Sequence, residues 1–156
     1  MPAVELETEV NALPERCFDI ARDIDLHVVS MASSRERAVG GRTAGLIGLG
    51  EEVTWEARHF GVVQRFTSRI TEFRRPDYFQ DVMVKGAFRI FVHDHFFFGR
   101  PDGGTIMREV VSFQSPFGVL GKLVDELVMK RYLSRLLAGR QRVVKAAAEG
   151  NRAGAA

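Results

Sequence analysis

The residues in this chain best placed to do chemistry lie in one run, Phe91-Val92-His93-Asp94-His95-Phe96-Phe97. His93 and His95 are two apart, so on a strand both imidazoles project from one face, beside Phe91 and Phe97. Two histidines so placed could chelate a metal, with His59 from another strand as a third ligand. A cupin-type metal site would want an acidic ligand four or so residues after the second histidine, and that position is Gly99. No metal ligand set is assigned on this spacing. The pair can instead act as polar fittings in an apolar pocket, bonding a carbonyl, carboxylate or hydroxyl of a ligand, or a buried partner such as Glu109. Glu109 lies on the far arm of a hairpin turning through Arg100 to Gly103, and a one-residue slip in register would send it to the opposite face. A His–Glu pair could serve as a general base. Purely structural histidines are the remaining alternative.

Strands must position these groups. Val53, Trp55, Ala57 and His59 share one face of a strand from Glu51; after a turn at Gly61, Gln64, Phe66, Ser68 and Ile70 share one side of the next. Tyr78 to Val84, Ala87 to Phe98 and Thr105 to Phe113 continue the meander, with Pro101-Asp102-Gly103 as the hairpin signal. Upstream, Val4, Leu6, Thr8 and Val10 alternate with Glu5, Glu7 and Glu9 as a first strand. Pro14 then opens a short helix with Cys17, Phe18 and Ala21 facing inward. A second runs from Asp25 to near Ala32, and Arg35 to Val39 is a brief strand. Gly40, Gly41, Gly45, Gly48 and Gly50 follow within eleven residues. They lack a Gly-Lys-Ser/Thr ending and a Gly-x-Gly-x-x-Gly, and they lead into a strand, which fits a flexible or bulged connection over a cavity mouth rather than a nucleotide loop.

The last element is a long amphipathic helix from Pro116 to about Ala148. Leu120, Leu123, Val124, Leu127 and Val128, then Tyr132, Leu133, Leu136 and Leu137, keep the three-and-four spacing of a single apolar face. Ser115 is placed to cap it, Pro116 suits its first turn, and its length is roughly 45 Å at 1.5 Å per residue. The predicted architecture is α+β: a curved, seven-stranded antiparallel sheet wrapped around one long helix, with two short helices after the first strand. Space left between sheet and helix is a ready pocket. Its expected ligand-binding residues are Trp55, His59, Phe66, Phe79, Met83, Phe91, His93, His95, Phe97, Met107, Glu109 and Val111 from the sheet, and Leu123 and Leu127 from the helix.

At 156 residues and 46% hydrophobic content the chain makes one domain, 1–149, with 150–156 expected as a disordered tail. Lys plus Arg exceed Asp plus Glu by only 22 to 20. Seven basic residues nevertheless fall between Lys130 and Arg152, with Glu149 the one acid among them. A solvated helix face explains them, so nucleic acid is not the expected partner. The alternative is an interaction module contacting RNA, ribosome or an anionic surface through Arg131 to Arg142. The single Cys17 excludes an internal disulfide and fits a buried core position in a reducing compartment. No charged leader precedes an apolar core and no apolar run approaches ~18 residues, so neither a signal peptide nor a membrane span is expected and the location predicted is cytoplasmic. No cofactor is expected, and no oligomeric state is assigned.

Five segments carry a family resemblance: Asp25-Leu26-His27; the run from Gly50 to Gly61 through Glu51-Glu52-Val53-Thr54-Trp55-Glu56-Ala57-Arg58-His59-Phe60; Asp81 to Phe88 leading into His93-Asp94-His95; Gly104-Thr105; and Ser115-Pro116-Phe117-Gly118. With the order of elements, they make the chain resemble the START-like, or SRPBCC, helix-grip superfamily, which includes lipid-transfer domains, the birch pollen allergen and polyketide aromatase/cyclases. More narrowly it looks like the bacterial ligand-binding members often labelled cyclase/dehydrase. The resemblance spans about Val4 to Lys145. It implies a hydrophobic cavity under the C-terminal helix that binds, carries or senses a small lipid-like, polyketide-like or aromatic molecule. The enzymatic alternative it implies is a polyketide-type cyclase or dehydratase, for which His93, His95 and Glu109 are the candidates, with no catalytic set assigned.

Overall fold

The computed structural model describes residues 1–155, with side chains described as far as Gly150. The alternating patterns become seven strands: β1 (Ala3–Val10), β2 (Arg37–Gly41), β3 (Glu52–His59), β4 (Val62–Arg74), β5 (Tyr78–Lys85), β6 (Ile90–Gly99) and β7 (Thr105–Gln114). They pair in the order β1-β7-β6-β5-β4-β3-β2, antiparallel throughout. The meander carries β2 to β7 across the sheet, and β1 closes its far edge against β7. Register shifts between Ala38 and Gly40 in β2, and at Thr67/Ser68 and Ile70/Glu72 in β4, put bulges where the sheet must curve. At Gly41, φ is +67° and a Cβ would lie 2.2 Å from the Glu52 carbonyl oxygen, so glycine alone fits that close approach.

Helices α1 (Pro14–Ala21) and α2 (Ile24–Ser30) follow β1. Asp23 caps α2, its carboxylate accepting from Asp25 N and Leu26 N. Phe18 of α1 meets Phe73, Phe79 and Phe97 edge-on, ring centres 5.1, 5.2 and 5.4 Å apart. Those contacts make one end of the sheet face solid core. Cys17 is buried there, and burial pushes its thiol pKa up. The glycine-rich connection is pinned, not loose: Arg22 donates to the Ile47 carbonyl, Ile24 N to that of Gly45, and Arg42 pairs with Glu51.

The C-terminal helix departs from expectation at its start. It has three parts: α3 (Gly118–Val124), a π-helical turn (Asp125–Met129) and α4 (Lys130–Ala155). Ser115 does not cap it. Phe117 occupies the boundary with φ +75° and no capping bond, while Ser115 gives both its N–H and its hydroxyl to Asp125, a fully buried carboxylate in the π turn. Gly121 completes this knot, since a Cβ there would stand 2.0 Å from the Pro116 carbonyl oxygen. The π turn closes with about one extra residue, which shifts the helical phase by roughly 100°. The apolar stripe is therefore split. Leu133, Leu137, Val144 and Ala148 of α4 face inward, whereas Leu120, Leu123 and Leu127 are 66%, 55% and 65% exposed. Replacing Asp125 with Ala strands the Ser115 donors and should lower stability by about 1.5–3 kcal/mol. Urea unfolding reads this directly, and an unchanged midpoint would show that the Asp125–Ser115 bonds do not hold the segment. The expectation of a disordered tail at 150–156 falls at and beyond the limit of the described side chains.

Candidate functional site

Side chains from β3 to β7 and from α2 and α4 surround a cavity of about 420 Å³. Trp55 and His59 reach it from β3, Phe66 from β4, Phe79 and Met83 from β5, Phe91, His93 and His95 from β6, and Val111 from β7. The five other expected residues are elsewhere, each for a packing reason. Phe97 and Met107 pair across β6 and β7 under α1, which turns them into core. Leu123 and Leu127 stand outside because the π turn rotates them away; Tyr132, Leu133, Leu136, Leu137 and Arg140 supply the helix side of the wall instead. Glu109 is fully buried one layer behind the wall.

Strand register assembles the polar centre. Asp81 lies opposite His93, Phe79 opposite His95, and His95 opposite Glu109, so Asp81, His93, His95 and Glu109 share one face of β5, β6 and β7. This decides the register question for Glu109. His95 Nε2 donates to Asp81 Oδ2 at 2.9 Å. Its Nδ1 is 3.1 Å from Glu109 Oε1, close enough for attraction but not aligned as a hydrogen bond. The His93 ring lies against that of His95, centres 3.8 Å apart, and stands 3.8 Å from Asp81 and 3.6 Å from Glu109. Arg140 donates to Glu109 Oε1 and to the Ala21 carbonyl. Among the described residues no protein group bonds His93 Nε2 or Glu109 Oε2.

Burial opposes every charge in this centre, and the neighbours decide which charges survive. For Glu109 burial is outweighed by Arg140 and the two imidazoles, which hold its carboxyl well below the usual range. Asp81 is held low in the same way, burial being overcome by the His95 hydrogen bond and the charge of both rings. His95 is pushed down by burial but lifted further by the Asp81 and Glu109 carboxylates, so its pKa rises. For His93 burial dominates, reinforced by His95 alongside, and its pKa falls to about 3. The centre thus presents a neutral imidazole to the cavity, backed by compensated ions.

A second polar group lies toward β2 and β3. Buried Glu36 accepts from His27 Nε2 at 2.6 Å, and the His27 ring stacks on Trp55 at 4.2 Å. His59 bonds Tyr132 through Nδ1; burial lowers the His59 pKa and raises that of Tyr132. His59 is therefore not a third member of the His93–His95 group, a place taken by Asp81. Asp81, Arg140 and Tyr132 were not foreseen as site residues. The signals exist: Asp81 alternates with Phe79 and Met83 on one strand face, and Arg140 falls between Leu137 and Val144 on the inward stripe of α4. Burial of Arg140 also takes one cation out of the basic stretch from Lys130, while Lys145 is tied to Glu149 and the Glu9 carbonyl.

No helix among the described residues is long and apolar enough to cross a membrane. No protein-family model and no curated protein matches the chain. Solved structures do. A protein of Thermus thermophilus is 21% identical with TM-score 0.72, covering 95% of this chain and 100% of that one. A START superfamily protein from Mycobacterium smegmatis is 12% identical with TM-score 0.69, covering 94% and 96%. Major latex-like protein 151 from Panax ginseng is 11% identical with TM-score 0.68, covering 94% and 97%. These likenesses show the fold.

Proposed function

We propose, from the premise that this chain has the helix-grip fold of the START-like (SRPBCC) proteins, that it binds a small apolar or aromatic molecule between the sheet and the C-terminal helix. The observation that carries this is the cavity itself: about 420 Å³, walled largely by aromatic and aliphatic side chains, with the neutral His93 imidazole at its wall. Its size falls in the range of about 300–1,000 Å³ usual for small-molecule sites. An apolar wall holds the body of the ligand, and His93 Nδ1, the ring nitrogen turned away from Glu109, offers one hydrogen bond that fixes a carbonyl or hydroxyl end. Proton transfer by His93, as a cyclase or dehydratase would need, is less well matched, because a base with a pKa near 3 is far from neutral operating pH.

An environment-sensitive apolar fluorophore tests the binding reading. Phe66→Asp and Phe91→Asp put a carboxylate into the wall and should weaken uptake by at least about tenfold, equivalent to 1.4 kcal/mol. Leu127→Asp and Lys122→Ala, both outside the cavity, should leave it unchanged. Equal uptake by all four folded variants would sink the proposal.

A further inference from the structure

We propose that Asp81, His93 and His95 form a binding site for a divalent first-row transition-metal ion, open on one side to the cavity. This does not rest on the apolar-ligand reading; a protein that fails to take up the fluorophore could still hold the ion, and the reverse.

The geometry begins with three donors on adjacent strands. One donor atom from each of Asp81, His93 and His95 lies within 4.8 Å of the other two. Asp81 Oδ2 is 2.9 Å from His95 Nε2 and 3.8 Å from His93 Nδ1. An ion held at about 2.0–2.2 Å by nitrogen and carboxylate oxygen brings its ligands roughly 3–4 Å from one another, so little movement is required. The ion would take the place of the proton that His95 now gives to Asp81.

The far side of both rings supports the same assignment. His95 Nδ1 faces Glu109 Oε1 at 3.1 Å and His93 Nε2 faces it at 3.6 Å. One carboxylate thus stands ready to accept from the outer nitrogen of each metal-binding imidazole, the arrangement that orients histidine ligands in metalloproteins. Arg140 holds that carboxylate in place. His93 and His95 are 9% and 2% exposed, yet His93 Nε2, His95 Nδ1 and Glu109 Oε2 have no aligned partner among the described residues. A closed hydrogen-bond network leaves those buried atoms unexplained, whereas drawing His93 Nδ1 and His95 Nε2 onto an ion turns their outer N–H groups toward Glu109. Two imidazoles and one carboxylate favour zinc, cobalt or ferrous iron over magnesium or calcium. Three protein ligands leave a coordination position, and since all three residues line the cavity, it faces the space where a ligand would sit.

The test uses the full chain stripped with a chelator and then titrated with Zn²⁺ alone by calorimetry and with Co²⁺ alone by visible absorption. One equivalent should bind, and Co²⁺ should show the intense bands of four- or five-coordinate cobalt. Asp81→Asn and His93→Gln should abolish stoichiometric uptake, and Glu109→Gln should weaken it by about 10–100-fold. His93→Gln is the decisive variant, because it strands no partner and should stay folded by circular dichroism. Absence of stoichiometric binding by the unaltered chain, or uptake unchanged in folded His93→Gln, would overturn the site.

Discussion

Arg140→Met is expected to lower the stability of this protein by about 3–5 kcal/mol, because it leaves the Glu109 carboxylate buried without its cation. Glu109 has no exposure to solvent and Arg140 only 4%, so water cannot replace the lost partner. The guanidinium also donates to the Ala21 carbonyl, tying the end of α1 to α4, and that bond goes too. A double substitution, Arg140→Met with Glu109→Leu, removes both charges and should recover most of the loss, since the desolvation of two ions disappears with them. Denaturant midpoints of the two single variants and the double supply the cycle. If the double variant is as unstable as the sum of the singles, the pair is not the coupled unit described here.

The second large effect is acid sensitivity in the chelator-stripped protein. His93 faces His95, Asp81, Glu109 and Arg140, and burial with the neighbouring His95 takes its pKa from 6.5 to about 3. Below pH 6.5 the unfolded chain therefore binds a proton that the folded chain refuses. Stability falls by about 1.4 kcal/mol per pH unit over that window, and so by roughly 2–3 kcal/mol on going from pH 6.5 to about 4.5. His95 acts in the opposite sense and elsewhere: its raised pKa gives stability that is fully present below 6.5 and lost as pH rises through the folded value. Asp81 and Glu109, both lowered, add stability that is present above their ordinary values and is lost as pH falls from there, overlapping only the acid end of the His93 window. His93→Gln should flatten the profile between pH 6.5 and about 4.5. Urea midpoints across that range measure it, and an equally steep fall in the variant would assign the sensitivity to another group.

Much of this was legible along the chain. Strand alternation, the Pro101-Asp102-Gly103 hairpin and the spacing of Leu133, Leu136 and Leu137 depend on neighbours a few residues away, and each became the expected element. The placement of His93 and His95 on one strand face followed from the same two-residue period. What pairs with them did not, because a partner on the next strand is set by register, and register in β5 to β7 is the outcome of bulges, turns and the whole sheet's curvature. Asp81 stands opposite His93 and Glu109 opposite His95 only when that alignment exists. The inward face of the last helix needed more still. Its apolar spacing is continuous from Leu120 to Leu137, yet the Ser115–Asp125 bonds and the π turn divide it, turning Leu123 and Leu127 outward. The sequence by itself determined the order of elements and which side chains share a face within a strand, since local periodicity is enough for that. Only the tertiary structure decided that Arg140 would cross to Glu109 and leave His93 uncharged at the cavity wall, because burial and long-range pairing set the charge of a group, and neither is written in its immediate neighbours.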